Sequence, residues 1–234
     1  MARFGEALTG WQPPRPPDFT RIDGRYMRLE RLREHHAHSL FRANAGADAI
    51  WDYLPYGPFA SEAGYIRFIT EMAGKDDPWF VAVCDPQSGA ALGVMSYLRI
   101  APEQGGIELG HICLSPVLQR TPAATEAMVR MIEWAFEAGY RRFEWKCDAL
   151  NMPSRAAAQR LGLSYEGIFR QAAVVKGRNR DTAWFAAIDK EWPGLKVAYE
   201  AWLTPANFDS SGAQIERLSD LTRLVRAADD PSLA

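Results

Sequence analysis

The chain has no apolar run approaching the roughly 20 residues needed to cross a bilayer, and its opening, MARFGEALTG, has no hydrophobic signal core. These absences lead to the expectation of a cytoplasmic protein with no membrane partner. Cysteine is scarce and odd in number, and Cys84, Cys113 and Cys147 each sit in an apolar strand-like run without paired metal-ligand spacing. Buried, reduced thiols are expected, and neither a disulfide framework nor a metal site is. No excess of one charge sign exists: 27 basic against 29 acidic side chains leave −2, so no broad attraction to nucleic acid or anionic lipid follows. Low complexity and internal repeats are also missing. What remains, 47% hydrophobic and 24% charged residues over 234 positions, is material for one or two ordinary globular domains.

The segment WQPPRPP at 11–17 cannot form helix or central strand, because proline fixes φ and lacks an N–H, so residues 1–21 read as an extended arm. A first strand is expected at Tyr26–Leu32 and a polar helix from Glu34 to Asn44. The aromatic loop IWDYLPYGPF precedes a helix from Ser61-Glu62 to about Met72. Strands at Trp79–Cys84 and Ala91–Ile100 flank the turn DPQSG, and a third follows Gly105-Gly106. Apolar positions Ala124, Ala127, Met128, Met131, Ile132, Ala135 and Phe136 then form one helical stripe. Strict alternation in Arg142–Cys147 puts Phe143, Trp145 and Cys147 on one face of a strand and Glu144 and Lys146 on the other. A short helix from Ser154 to Leu161 stops at Gly162, and two strands, Tyr165–Val175 and Thr182–Ile188, flank KGRNRD. A helix near Leu195–Leu203 and an amphipathic one carrying Ile215, Leu218, Leu221 and Val225 close the chain. The order describes an α/β fold whose strand-helix-strand crossover requires a parallel pair.

Within it, the strand ending at Pro116 feeds the turn Gln119–Thr125 and a helix N-terminus. Free backbone N–H groups and the positive end of the dipole there suit a phosphate.

SPVLQRTPAATEAM, ALNMPSRAAAQRLGLSYEGIFR and GRNRDTAWFAAIDKEW, taken with this element order, resemble the GNAT N-acetyltransferases, and within them the RimJ/RimL-like group, over residues 22–192. The resemblance implies a mixed, mostly antiparallel sheet with a central splayed parallel pair and helices on both faces, with residues 193–234 as a helical extension. It further implies acetyl-CoA as acyl donor, an amine acceptor, direct attack in a ternary complex and no metal.

By the same resemblance, Gln119, Arg120, Thr121, Ala123, Ala124 and Thr125 occupy the phosphate loop, although Pro122 stands where the family pattern has glycine. Proline at a helix's first position is well tolerated behind an N-cap such as Thr121, but supplies no N–H. Ile112 and Leu114 would lend backbone groups to pantetheine, and Asn151 would sit beside it. Ala158 replaces the tyrosine with which many relatives protonate the leaving thiolate, and Ser154, which matches a serine of the RimJ/RimL-like group, is either a donor to the sulfur or a helix cap. Glu108, in an EIG-like motif, is either the base or the ion-pair partner of Arg99 across a hairpin. His111 is either a base or a packed side chain. Tyr53, Tyr56 and Phe59 either line the acceptor pocket or pin the loop. His35, His36 and His38 lie on the polar helix and read as a solvated face; the spacing of His35 and His38 is open to a metal, but no second ligand cluster accompanies them. Residues 212–227 either pair a homodimer or pack on their own domain. A second reading, motivated by Pro122, Ala158 and the extension, is a non-catalytic acyl-CoA-binding sensor or interaction module.

Overall fold

The computed structural model describes residues 3–233; Met1, Ala2 and Ala234, which fall in the expected arm and extension, lie outside them. Eight strands form one sheet in the order β1-β2-β3-β4-β5-β6-β8-β7. They are β1 (Arg21–Asp23), β2 (Arg28–Arg31), β3 (Trp79–Cys84), β4 (Ala91–Ala101), β5 (Gly106–Leu114), β6 (Arg142–Asp148), β7 (Ser164–Val175) and β8 (Arg178–Ile188). All neighbours are antiparallel except β5 and β6, the pair joined by the crossover helix α3 (Pro122–Glu137).

The alternation read from the sequence sorts the sheet's two faces. Phe143 and Trp145 are buried in one core with the α3 stripe and with α4 (Met152–Arg160) and α5 (Trp192–Leu203). The other face takes α1 (Ala37–Ala43) and α2 (Glu62–Ala73), packed through Leu40, Tyr65 and Ile69 onto Phe80, Ala82 and Cys113. Each such large side chain contributes about 1.5–3 kcal/mol when fully buried.

Several boundaries move for local reasons. A short hairpin turn at Asp23-Gly24 adds β1, which the sequence reading missed, so the end of the arm is the sheet's edge strand. The arm itself is packed: Pro14 and Pro17 are buried, and Phe19 meets Trp79 edge-on at 4.6 Å. The helix expected from Glu34 starts as a 3-10 turn, Glu34–His36, before α1. β8 starts at Arg178 and not Thr182, because Lys176 (φ +48°) and Gly177 (φ +73°) make a two-residue turn of the primed type, which lets charged Arg178–Asp181 continue the strand. Helix α4 begins at Met152, two residues before expectation, because Asn151 caps it.

The extension is bound to the core throughout. The Tyr199 hydroxyl of α5 donates to the Leu161 carbonyl at 2.5 Å. The second helix is only α6 (Leu218–Thr222), shorter than the four apolar positions suggested: Leu218 and Thr222 are fully buried against this domain, while Ile215 is exposed. Residues 212–227 thus display the intramolecular alternative. Beyond α6 the Ser164 hydroxyl accepts the Ala227 N–H at 2.7 Å, and Tyr165 N–H donates to the Ala228 carbonyl at 3.1 Å. Asp230 then receives Arg155 of α4 through two 2.6 Å bonds, with both residues buried.

Removing one partner of a buried pair leaves an uncompensated charge, which costs about 3–5 kcal/mol, whereas replacing both with apolar side chains is far milder. Urea denaturation of Asp230→Ala should show a loss of about that size, with the double variant Arg155→Met, Asp230→Leu recovering most of it. A single-variant loss below about 1 kcal/mol would contradict the pairing's role.

Candidate active site

The parallel strands touch only at their base. Gly106 to Leu109 pair with Arg142 to Trp145, and beyond Leu109↔Trp145 the two strands part. On its other side β5 keeps its place against β4 by a bulge: the register passes from Ser96↔Gly110 to Val94↔Cys113, so His111 and Ile112 together face Met95, and His111 takes a left-handed φ of +51°. Ile112 therefore has no register partner on either neighbour. A V-shaped cleft results, one wall of which offers strand backbone to an amide-bearing ligand.

At its mouth the chain turns into α3. The Ser115 carbonyl accepts N–H bonds from Leu118 and Gln119, both at 3.0 Å, and Arg120 adopts φ +60°. The Thr121 hydroxyl caps the helix, accepting Ala124 N–H at 3.1 Å and donating to the Leu118 carbonyl at 2.7 Å. Pro122 occupies the first helical position, where a missing N–H removes no helix bond. Thr125 N–H is spent on the Thr121 carbonyl at 3.3 Å, and its hydroxyl receives Arg160 at 3.1 Å. Among the described residues, the amides of Arg120, Thr121 and Ala123 are left without a partner, so the turn offers three free N–H groups and a guanidinium; those of Ala124 and Thr125 are already taken. Gln119 points back, donating to the Leu114 carbonyl at 2.9 Å.

The opposite wall is the start of α4. The Asn151 side chain accepts Ser154 N–H at 3.1 Å, which makes Asn151 the cap and excludes Ser154 from that role. The Ser154 hydroxyl instead accepts the Trp145 indole N–H at 3.0 Å, and its own proton faces the Cys147 thiol. Ala158 is completely buried in the core, so the tyrosine of relatives has no space at this position. Burial pushes the Cys147 thiol up to about 11, and Cys84 and Cys113 up to about 12, so all three stay protonated and unreactive at neutral pH.

The third side comes from the aromatic loop before α2. The Tyr56 ring stacks on the His111 imidazole with centroids 5.6 Å apart, and its hydroxyl lies 3.0 Å from His111 Nδ1. Tyr53 donates to the Leu150 carbonyl at 3.2 Å and Lys176 to the Trp51 carbonyl at 2.8 Å, two ties that hold the loop to the cleft's far rim. Phe59 packs on Trp51 and Tyr65, in the core under the loop.

Glu108 stands opposite Leu98, one residue from the expected register, while Arg99, at φ +48° in a second irregularity, turns to it. Its buried carboxylate is 2.6 Å from Arg99 Nε and 3.0 Å from Lys146 Nζ. Lys146 also reaches Glu144 at 2.6 Å and lies over the Trp184 ring at 3.7 Å. The geometry thus displays the ion pair with Arg99; sequence had no signal for Lys146 as second partner.

Among the described residues, Glu30, His35 and His36 bring three possible metal-ligating atoms within 4.8 Å. His36, however, is buried rather than solvated, and its Nδ1 accepts Arg33 N–H at 3.1 Å, which puts the ring proton on Nε2, facing Glu30 at 3.2 Å. A ligating nitrogen must be bare. Arg28 occupies the other Glu30 oxygen at 2.5 Å, and the cluster is a hydrogen-bond chain. His38 pairs with Glu62. The groove of about 450 Å³ between α3 and α5 is likewise lined by ion pairs such as Arg130–Glu133.

Residues 27–164 match the family described as acetyltransferase (GNAT) domain. The crystal structure of a GCN5-related N-acetyltransferase from Brucella melitensis shares 45% identity and a TM-score of 0.89, over 92% of this chain and 100% of that one. The uncharacterized N-acetyltransferase YnaD of Bacillus subtilis (strain 168) is 23% identical over 144 residues, 61% of this chain and 82% of that protein. The microcin C7 self-immunity acetyltransferase MccE, solved in complex with acetyl-CoA and AMP, shares the fold at 19% identity with a TM-score of 0.63, over 70% of this chain and 93% of that one.

Burial, followed by the charges of Lys75, Arg99 and Arg180, lowers the His111 imidazole to about 4, so it is neutral at physiological pH. A histidine depressed in the fold takes up its proton more readily when unfolded, so stability conferred by neutral His111 is complete above about pH 6.5 and is lost as pH falls towards 4. The imidazole ¹H–¹⁵N signals of His111 should show no titration between pH 8 and 5.5; a midpoint near the ordinary 6.5 would refute this environment.

Proposed function

The chain belongs to the GNAT acetyltransferase family, and from that premise we propose that it transfers the acetyl group of acetyl-CoA to a primary amine by direct attack. The observation carrying this reading is the parted strand pair, with a helix N-terminus on one wall and a serine hydroxyl oriented by Trp145 on the other. The free amides of Arg120, Thr121 and Ala123, with the Arg120 guanidinium, hold the diphosphate. If the Thr121 hydroxyl rotates away, Ala124 joins them; Thr125 and Gln119 support the turn. Ile112 and Leu114 present backbone to pantetheine, and Asn151 borders it. Tyr53, Tyr56 and His111 wall the acceptor site.

The amine nitrogen forms a bond to the thioester carbonyl carbon, the C–S bond breaks, and coenzyme A leaves. Ser154 donates to the departing sulfur, with its oxygen oriented by Trp145. Glu108 is held by two cations and His111 is neutral with Nδ1 against the Tyr56 hydroxyl, so the proton shed by nitrogen passes to water; the nitrogen becomes acidic once bonded to the carbonyl carbon. Catalysis is then chiefly positioning.

Free-thiol release from acetyl-CoA across a panel of amines tests the reading. A thermal shift with acetyl-CoA but no turnover with any amine would indicate a sensor, and the absence of both would remove the cofactor site as well. Ser154→Ala should lower kcat by about 10- to 100-fold with the acetyl-CoA KM within a few-fold of the parent. Arg120→Ala should raise that KM by about 10-fold at little cost to kcat, which is the opposite split.

A further inference from the structure

β8 outruns β6. Its last register pair with that strand is Asp148↔Thr182, so Arg180, backed only by Ala173 of β7, overhangs the parted strands. Alternation from Trp184, which faces Lys146, puts Arg180 on the same side of the sheet as the buried Glu108 cluster, where α1, α2 and the aromatic loop lie. It is close enough for its charge to bear on His111 of one splayed strand and Cys147 of the other.

Arg180 is half-buried and its Nε is buried without an acceptor; among the described residues no carboxylate lies within ion-pair distance. The neighbouring acids are committed elsewhere. Asp181 accepts Gln171 N–H at 2.7 Å and Asn179 at 3.0 Å, Asp148 accepts Leu150 N–H at 2.9 Å, and Asp77 accepts the amides of Arg99 and Ile100 at 3.1 and 3.0 Å. Glu108 is doubly paired. Trp184 Nε1, further along the same strand face, is a second buried donor without a partner. An orphaned buried donor costs about 1–3 kcal/mol, more when charged, so these two donors on one strand face are open to a ligand that would complete them.

We propose, resting on the acetyl-transfer reading above, that the acceptor amine carries a carboxylate, as an α-amino acid does, and that this carboxylate seats on Arg180. A planar guanidinium matches a carboxylate with two parallel bonds. One cation is the right complement for one negative charge, whereas a phosphate dianion calls for more donors than converge here. The cationic surroundings serve the chemistry too. Burial, the first cause of the lowered His111 imidazole, and the charges of Lys75 and Arg99, which the bound carboxylate leaves unpaired with it, disfavour an ammonium and favour the free amine that attacks.

The test compares amino acids with their amides and decarboxylated amines, together with phosphoethanolamine, by thiol release in the parent and in Arg180→Gln and Arg180→Lys. The parent should favour free acids over amides in kcat/KM by about 10- to 100-fold. Arg180→Gln should erase that preference with the acetyl-CoA KM and the denaturation midpoint unchanged, and Arg180→Lys should keep part of it. Amides used as well as acids, a preference that survives Arg180→Gln, or selective use of phosphoethanolamine would each overturn the proposal while leaving acetyl transfer intact. Should no panel amine react, titration of the coenzyme A-loaded protein with the same acids decides: His111 ring signals should shift in the parent and not in Arg180→Gln, and an unmoved parent spectrum refutes the carboxylate seat.

Discussion

The parting of β5 from β6 is the constraint on which the rest of this molecule turns. A parallel pair that zipped to its ends would satisfy its own backbone and leave no cleft. Here pairing stops at Leu109↔Trp145, and two features keep it from resuming. On one side the bulge at His111 and Ile112 swings β5 away while preserving its pairing with β4 at Cys113 and Leu114. On the other, the indole of Trp145 is spent on Ser154, tying the upper part of β6 to α4 rather than to β5. Backbone left unpaired for several residues is costly in a folded chain. On the acetyl-transfer reading proposed above, an amide-bearing donor would restore the missing bonds, and that accounts for the opening's retention.

Around that opening the charges are divided with little waste. Glu108, Lys146, Glu144, Arg142, Arg99 and Glu166 form one connected array in which Glu108 and Glu144 each have two cationic partners. Such arrays add little net stability once desolvation is counted, but they orient the side chains of a sheet face that a polar ligand must share. The array also consumes the carboxylate best placed to act as a base.

Elements with a clear period were legible from sequence: the α3 stripe, the alternation in β6 and the crossover that demands a parallel pair all follow from apolar spacing. The phosphate turn was legible as a capped helix start, with Thr121 as cap and Pro122 tolerated behind it. The number of free amides was not, since it depends on the Thr121 side chain and on Arg120 entering the left-handed region. Ser154 was visible by resemblance; that Trp145 orients it required the fold. The ion pair of Glu108 with Arg99 was foreseen, but Lys146 lies 38 positions further on in the chain and enters through strand order. Arg180 was overlooked for a related reason: KGRNRD has the composition of a turn, and only the two positive φ angles at Lys176 and Gly177 shorten the turn enough to put Arg180 in a strand. Four apolar residues in the extension suggested a longer helix than the chain makes, because Leu218 and Thr222 suffice to anchor it.

The extension, finally, is tied to the start of α4 through Arg155. Arg155 follows Ser154 directly on α4, and its guanidinium is shared between Asp230, Ser232 and the carbonyl of Ala149 in the turn leading from β6. The turn, the helix N-terminus and the last residues of the chain are thereby fixed to one another at a point one residue from the hydroxyl proposed to meet the sulfur. A buried guanidinium with four such bonds tolerates little displacement, because each angstrom forfeits a charge-assisted bond in a medium that offers no water to replace it. The tail therefore has a physical route to the cleft without touching a substrate: it sets where α4 begins, and so where Asn151 and Ser154 stand. Family membership accounts for the sheet and the crossover. The fastening of Asp230 and Ser232 onto Arg155 is what adds a fixed point to the start of α4.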